Sequence, residues 1–196
     1  MSKTANIESF QKYSKEYEEW FEKNDLLYQN ELKIVKDIIG DTQNGLEIGM
    51  GSGRFAIKPN IVIGIEPSSE MRKIALSKGL NVMNGIAEDL PFKSQTFDFA
   101  MMITSICFIK NPKKSLKEAF RVIKDGGFLI IGFIDKKSEL GKQYEESKKK
   151  SKFYANAKFY SLDELISLCK IAGFNDFKKY ENIDSENPMT FLKIYK

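Results

Sequence analysis

The sequence predicts one α/β domain over residues 1–196, with a mostly parallel, seven-stranded sheet that carries helices on both faces. Three observations lead to this fold class. The length of 196 residues suits a single domain of this kind. Apolar segments of strand length alternate with segments of helical periodicity, which is the order typical of a parallel sheet. A glycine-rich stretch directly follows the first strand, where nucleotide-binding α/β folds place their ligand loop.

Two helices are predicted ahead of the first strand, between residues 7 and 39 of the N-terminal region 1–44. Large apolar residues recur there at helical spacing on both sides of Asn24 and Asp25. The residues that give this spacing are Phe10, Tyr13, Tyr17, Trp20, Phe21, Leu27, Ile34, Val35 and Ile38. We expect these helices to cover the sheet.

A core of alternating strands and helices is predicted over residues 45–134. Strands are expected at residues 46–49, 61–65, 81–84, 97–103 and 128–134. One helix turns Met71 inward and ends at Gly79, and Asn111-Pro112 begins the next. The buried stripe of that next helix is expected to consist of Leu116, Ala119, Phe120 and Ile123. The fourth strand is apolar throughout, so it should be a central strand that is covered on both faces.

Residues 135–160 form an insert that is predicted to contain a solvated helix. Glu145 precedes Lys149 by four positions, and Glu146 precedes Lys150 in the same way, so both pairs have the spacing and order that favour ion pairs on a helix. The aromatic residues that follow either line a pocket or pack beneath the insert. They are Phe153, Tyr154, Phe159 and Tyr160.

Residues 161–196 are predicted to form a helix and two strands. Ser161 and Glu164 have the spacing of a capping box, and the helix that they open should end at Gly173. The strands are expected near residues 177–183 and 190–195, with Asn187-Pro188 between them.

Two acidic residues lie beside the predicted ligand loop. The chain reads Glu47-Ile48-Gly49-Met50-Gly51-Ser52-Gly53-Arg54, with Arg54 where dinucleotide-binding folds have their third glycine. This difference argues against a nicotinamide-dependent dehydrogenase. Glu66 ends the second strand, 19 positions after Glu47, where an acidic side chain in nucleotide-binding folds accepts hydrogen bonds from ribose hydroxyls.

The pattern E-x-G-x-G-x-G resembles motif I of the class I S-adenosylmethionine (SAM) dependent methyltransferases, and the whole chain most resembles their type 11 group, which is related to quinone and menaquinone biosynthesis enzymes. The resemblance implies a Rossmann-like fold with an N-terminal helical lid, an antiparallel pair of final strands, SAM as the cofactor and S-adenosylhomocysteine as the product. It also implies that Glu47 faces the cationic amino end of the methionine moiety. The glycines implied to accommodate the cofactor are Gly49, Gly51 and Gly53.

The same resemblance implies further cofactor-binding residues. Residues 85–92 resemble the adenine-side loop G-D-A-x-x-L-P-F, although Ile86 stands where the family commonly has an acidic residue. The residues implied to contact the cofactor are Glu66, Pro67, Met71, Ala87, Glu88 and Thr104. Thr104 follows the fourth strand, beside the switch point at which open α/β sheets bind ligands, so it should lie close to the methyl donor.

Four aromatic residues are candidates for the acceptor pocket. Tyr17 or Trp20 is a candidate lid residue over the cofactor, and both are otherwise expected to pack on the sheet. Phe108 is either a wall of the acceptor pocket or a core residue. Tyr154 belongs to the aromatic group of the insert, for which pocket and packing are both open.

Composition excludes several other chemistries. The chain has no histidine, which rules out Ser-His and Cys-His mechanisms, and we expect no metal site. Cys107 and Cys169 are far apart in apolar patterns, as in reduced core residues of a cytosolic protein. The net charge of +4 is mild. The start lacks an apolar signal region, and the apolar runs are too short to cross a bilayer, so a cytoplasmic protein is expected.

The predicted function is transfer of a methyl group from SAM to a small molecule by direct in-line displacement. No Asp/Asn-Pro-Pro-Tyr/Phe motif follows the fourth strand, so no nucleic-acid acceptor is expected. The alternative is a SAM-binding regulatory module without catalysis. The sequence leaves the identity of the acceptor, the need for a general base and the oligomeric state open.

Overall fold

The computed structural model describes residues 7–57, 60–181 and 189–196. It contains one seven-stranded sheet with the order β3-β2-β1-β4-β5-β7-β6. The strands are β1 Gly45–Ile48, β2 Ile61–Ile65, β3 Val82–Met83, β4 Phe97–Ile103, β5 Ile123–Phe133, β6 Asn175–Glu181 and β7 Thr190–Tyr195. Strands β1 to β5 pair in parallel, and β7 pairs antiparallel with both β5 and β6. The predicted Rossmann-like fold, with its antiparallel final pair, is therefore confirmed.

Some sequence predictions concern residues outside this description. The start of the chain, Met1 to Asn6, lies outside the described residues, as do Ile183 and the Asn187-Pro188 turn. The predicted strand bounds within the described residues agree with the structure to within one or two residues, except for β5.

The helices are α1 Glu8–Lys12, α2 Ser14–Lys23, α3 Asp25–Ile39, α4 Ser69–Ser77, α5 Pro112–Val122, α6 Glu139–Ser147 and α7 Leu162–Ala172. The prediction of two helices before β1 is corrected to three, because the first predicted helix is interrupted at Tyr13. The predicted capping box at Ser161 and Glu164 is formed, and Gly173 ends α7 in a left-handed conformation. None of the described helices combines the length and the apolar character needed to cross a membrane.

Two apolar cores lie on opposite faces of the sheet. On one face, Leu46 and Met102 pack with residues of α5 and α7, such as Leu116 and Leu165. On the other face, Met101 and its neighbours pack with residues of α2, α3 and α4. Because successive residues of a strand point to opposite faces, β4 supplies both cores and must be apolar throughout. Its position beside β1 at the centre of the sheet brings its carboxyl end next to the glycine loop.

Strand β5 begins earlier than predicted. Ile123 was expected on the buried stripe of α5, but the helix ends at Val122 and Ile123 pairs with Phe97 of β4. The pairing then shifts register before it resumes at Phe128. Gly126 has a φ of +77° in this irregular stretch, which is why the sequence there reads as a turn. The residues around Gly126 therefore form a bulge within β5 and do not separate it from α5 as a turn.

The predicted ion pairs of the insert are also corrected. Helix α6 ends at Ser147, and residues 148–150 form a single 3₁₀ turn. Because this turn is tighter than an α-helix, Glu145 pairs with Lys148 three positions later, at 2.6 Å, in place of Lys149.

Candidate active site

The glycine loop lies at the carboxyl end of β1, pressed against the residues that follow β4. The amides of Gly49 and Met50 both donate to the carbonyl of Ile65, at 2.8 and 3.0 Å. Gly49 has a φ of +75°, and a Cβ at this position would lie 2.6 Å from Cβ of Ser105. The Ser105 hydroxyl donates to the Ile48 carbonyl at 2.9 Å. Gly49 is therefore required by the close approach of two loops.

A cavity with an empty volume of about 840 Å³ opens at the carboxyl ends of β1, β2 and β4. Its lining is mainly apolar with a few polar groups, as in small-molecule and cofactor sites. Nine of the ten residues predicted to contact the cofactor line it: Glu47, Gly49, Gly51, Glu66, Pro67, Met71, Ala87, Glu88 and Thr104. We call it the donor cavity. The structure thus brings together residues from five separate segments of the chain.

Gly53 is the predicted cofactor residue that does not line the donor cavity. Its φ is +78°, and a Cβ there would lie 2.0 Å from Cδ1 of Leu80 and 3.8 Å from Cβ of Ala75. The third glycine of the motif is therefore explained by packing of the loop against the residues after α4. Gly51, with a φ of +57°, faces the cavity, where the nearest atom to an added Cβ would be the Tyr17 hydroxyl at 3.9 Å.

Glu47 is a buried carboxylate at the floor of the donor cavity. Its side chain belongs to the middle of β1 and is 2% exposed. Within residues 7–57, 60–181 and 189–196, its Oε2 atom has no hydrogen-bond partner. Burial raises the pKa of Glu47 well above its ordinary value, and the nearby charge of Glu66 raises it further. A ligand cation at this position would satisfy the carboxylate.

Glu66, at the end of β2, is held in a fixed orientation by the backbone. Its Oε2 accepts from the Gly51 amide at 2.9 Å, and its Oε1 accepts from the Ser68 amide at 2.7 Å. Burial raises the pKa of Glu66, although these two hydrogen bonds oppose the shift. Each carboxylate oxygen has a second lone pair, so Glu66 can still accept from a pair of ligand hydroxyls.

The loop over residues 85–92 forms another wall of the donor cavity. Ile86, Ala87 and Glu88 all line it, so an apolar side chain occupies the place where the family commonly has an acid. The Glu88 carboxylate accepts from the Asn111 amide at 3.1 Å. The guanidinium of Arg121 holds the rest of the loop by donating to the Leu90 and Phe92 carbonyls, at 3.0 and 2.7 Å.

Thr104 lies in a strained conformation between the donor cavity and a second cavity. Its φ of +51° is rare for a β-branched residue. The Thr104 amide donates to the Gly132 carbonyl at 2.8 Å, which holds the strained turn at the end of β4. Strain of this kind is concentrated at functional sites because it turns a chosen atom toward a ligand.

The second cavity adjoins the donor cavity and has mainly aromatic walls. We call it the acceptor cavity; its empty volume is about 1310 Å³. Tyr17, Thr104 and Phe108 line both cavities, which therefore meet at these residues. All four residues predicted for the acceptor pocket line the acceptor cavity: Tyr17, Trp20, Phe108 and Tyr154. Burial raises the pKa of the Tyr17 phenol, so the group is neutral near pH 7.

Helix α2 is fastened over the two cavities by a cluster of charges around Glu18. The Glu18 carboxylate pairs with the guanidinium of Arg54 at 2.8 Å and with the ammonium of Lys78 at 2.7 Å. Lys78 also donates to the Ser52 carbonyl in the glycine loop, at 3.1 Å. Burial opposes ionisation of Glu18, but these hydrogen bonds outweigh it, and the pKa of Glu18 is lowered. Arg54 stands where dinucleotide-binding folds have their third glycine. Here its side chain links the glycine loop to α2.

Helix α1 is attached to the other side of the donor cavity through Gln11. The Gln11 side-chain carbonyl accepts from the Ser68 hydroxyl at 3.0 Å and from the Ser69 amide at 3.1 Å, while its amide group donates to Ser69 Oγ at 2.7 Å. Ile7 and Phe10 of this region line the donor cavity. The N-terminal helices α1 and α2 therefore cover the donor cavity.

Sequence reasoning missed several residues of the acceptor cavity, and Glu31 is the most informative of them. Glu31 lines this cavity from α3. It lies four positions after Leu27 and four before Val35, so it interrupts an otherwise apolar stripe. An acidic residue on a buried helix stripe was the signal that could have identified it. The other missed lining residues include Phe10, Phe21 and Tyr144.

The site as a whole fits a positively charged nucleoside. Glu47, which lines the donor cavity, has a buried carboxylate oxygen with no hydrogen-bond partner among the described residues. A backbone-oriented carboxylate, Glu66, lies at the end of the neighbouring strand, and glycine backbone lies between the two. Comparison with known proteins leads to the same class. The family described as the methyltransferase domain, type 11, matches residues 46–131.

Individual relatives agree with this match. A crystal structure of a SAM-dependent methyltransferase from Thermotoga maritima, described as a possible histamine N-methyltransferase, is 40% identical and superposes with a TM-score of 0.88, covering 97% of this chain and all of that one. An uncharacterised protein of Methanocaldococcus jannaschii is 48% identical over 177 residues, which are 90% of this chain and 86% of that protein. The chain belongs to the class I SAM-dependent methyltransferases, type 11 group.

One relative with a named acceptor is more distant. The chloroplastic 2-methyl-6-phytyl-1,4-hydroquinone methyltransferase 2 of rice is 36% identical over 167 residues. The match covers 78% of this chain but only 41% of the rice protein.

Proposed function

We propose that this SAM-dependent methyltransferase acts on a small-molecule acceptor that binds in the acceptor cavity. The observation that supports this proposal is the junction of the two cavities at Tyr17, Thr104 and Phe108. One cavity has the carboxylates and bare backbone that suit SAM, and the other has mainly aromatic walls and is covered by the N-terminal helices. A covered cavity of this kind accommodates a small molecule more readily than an exposed loop of a macromolecule.

When bound, SAM would supply a sulfonium methyl group: a bond forms between an acceptor atom and the methyl carbon, the carbon–sulfur bond breaks, and S-adenosylhomocysteine leaves with the electron pair. In our proposal, Glu47 binds the cationic amino group of the methionine moiety, and Glu66 accepts hydrogen bonds from the ribose hydroxyls. Pro67, Met71, Ala87 and Glu88 hold the rest of the nucleoside. Thr104 lies where the two cavities meet and helps to align the reacting atoms. The covering helices exclude water from them.

The experiment is incubation of the protein with methyl-labelled SAM and a panel of phenols, thiols and amines. The hydroquinone acceptor of the rice relative and the histamine suggested for the Thermotoga relative support the inclusion of both phenols and amines. We expect labelled small-molecule product and an equal amount of S-adenosylhomocysteine, both detected by mass spectrometry.

Two results would contradict the proposal. Tight SAM binding without S-adenosylhomocysteine from any panel member would favour the regulatory module that the sequence also allows. Transfer of label only to added RNA or protein would contradict a small-molecule acceptor. The Glu22→Gln variant should give the same products as wild type, because Glu22 is exposed and lies outside both cavities.

A further inference from the structure

The acceptor cavity contains a single charged side chain. Fourteen of its described lining residues are aromatic, aliphatic or hydroxyl-bearing, and Glu31 alone carries a formal charge. Tyr144 and Tyr154 also line this cavity. Burial raises the pKa of Tyr144, and the charge of Glu31 raises it further; the same charge contributes to the raised pKa of the buried Tyr154. Glu31 therefore acts electrostatically on an otherwise uncharged space.

No protein cation compensates Glu31 in the described part of the chain. Burial alone raises the pKa of this carboxyl, to about 7. By contrast, the carboxylate of Glu18, on the neighbouring helix α2, pairs with both Arg54 and Lys78. A partly buried carboxylate without a counter-charge reduces stability, and Gln would fill the same volume without that cost. Such a residue is expected where a ligand supplies the missing charge.

We propose that Glu31 binds a positively charged amino group of the acceptor, so that the substrates of this enzyme are cationic amines with an apolar or aromatic body. This inference rests on the proposed function and specifies its substrate class. The aromatic walls provide both contact area and ring faces that attract a cation. A neutral phenol or quinol of similar size leaves the carboxylate unpaired in the cavity, so it binds less well.

The test compares an amine with its neutral counterpart. Binding of 2-phenylethylamine and of 2-phenylethanol is measured by calorimetry on the protein saturated with S-adenosylhomocysteine. We expect the wild-type protein to bind the amine, and the Glu31→Gln variant to bind it about tenfold more weakly or worse, because a charged partner is lost. Binding of the alcohol should be unchanged or stronger in the variant. Glu22→Gln, the same change at an exposed site, should behave as wild type.

The outcomes separate this inference from the proposed function. Equal affinity of wild type and Glu31→Gln for the amine would overturn the inference, as would wild-type protein that prefers the alcohol. If S-adenosylhomocysteine binds but the amine does not, the inference fails and the methyltransferase site stands. If the nucleoside itself does not bind, the proposed function fails. For any acceptor that is methylated at a neutral atom other than its cationic amino group, Glu31→Gln should raise KM with little change in kcat, whereas a lower kcat at unchanged KM would contradict an anchoring role.

Discussion

Three acidic side chains with different surroundings define the chemistry of the site. In the part of the chain that the structure describes, Oε2 of the buried Glu47 has no hydrogen-bond partner, Glu66 is held by two backbone amides, and Glu31 lines the aromatic acceptor cavity. A carboxylate is costly to bury, so each of these positions is poorly explained by stability alone. Together they support our two proposals, a site for a cationic nucleoside and, next to it, a site for a second cation.

The first residue-scale prediction concerns Glu47. The Glu47→Gln variant should bind SAM more weakly by about 1–3 kcal/mol, because the ligand ammonium loses a charged partner. Its melting temperature at pH 8 should be equal to that of wild type or higher, since Gln fills the same space without the cost of burying an ionisable carboxyl. Calorimetry and thermal unfolding on the same samples provide both measurements.

The pH dependence supplies a check on the same residue. The pKa of Glu47 is raised in the free protein, so the carboxylate forms only as the pH rises, and the affinity of wild type for SAM should rise with it. This dependence should be reduced in Glu47→Gln. An unchanged affinity and an unchanged pH profile would remove Glu47 from the cofactor site.

The second residue-scale prediction concerns the stability effect of Glu31. Its pKa is raised from 4.5 to about 7 by burial. Below pH 4.5 the group is protonated in both folded and unfolded chains, and between 4.5 and about 7 only the unfolded chain ionises, so folding loses stability as the pH rises. Glu31→Gln should therefore be more stable than wild type by about 1–3 kcal/mol at pH 8, and the difference should shrink toward pH 4.5.

Denaturant unfolding at several pH values measures this difference. The phenols of Tyr17, Tyr144 and Tyr154, which face the same cavity, stay neutral over this range because burial raises the pKa of each. Equal stability of the two proteins at pH 8 would mean that Glu31 is well solvated. In that case the cavity would not select for a cation.

At the scale of elements, charge pairs attach α2 to the glycine loop, and hydrogen bonds attach α1 to the start of α4. Glu18 of α2 joins Arg54 and Lys78, and Gln11 of α1 joins the start of α4. These contacts couple closure of the site to the conformation of the glycine loop. They are partly buried, so they contribute more than pairs on the open surface.

Glu18→Gln should therefore loosen the covering helices. We expect faster hydrogen exchange in α1 and α2, and a loss of SAM affinity of about 1–3 kcal/mol, because Arg54 and Lys78 lose their shared partner. The matched control is Glu19→Gln, one position along α2, since the pair of Glu19 with Lys23 is 3.6 Å long and solvent-exposed. Equal exchange rates in the two variants would show that the charge pairs do not hold the helices closed.

Features of helices and strands that depend on local patterns could be predicted from the sequence, whereas features that depend on tertiary contacts could not. The capping box at Ser161 and the acidic end of β2 at Glu66 are local patterns, and both could be read from spacing alone. The pairing of Glu145 with Lys148 could not, because it depends on where α6 ends. The packing role of Gly53 against Leu80 depends on a tertiary contact that no local pattern encodes.

At the scale of the whole molecule, parallel strands bring distant acidic residues to one edge of the sheet. Glu47 lies within β1 and Glu66 directly follows the neighbouring strand β2, whereas Glu31 comes from helix α3. The glycine motif and the spacing of 19 residues were the basis on which the first two were predicted to contact a cofactor. The acceptor cavity depends on how the N-terminal helices and the insert pack together, which is why its aromatic residues could be proposed and its carboxylate was missed.

We expect the donor cavity to hold SAM with its sulfonium methyl group toward the acceptor cavity. A crystal structure of the protein with S-adenosylhomocysteine tests it most directly. We expect the ribose hydroxyls to donate to the Glu66 carboxylate. The amino group should lie near Glu47, and the sulfur should lie beside Thr104, where the two cavities meet. A nucleoside bound in the aromatic cavity, or a sulfur atom that faces away from Thr104, would contradict it.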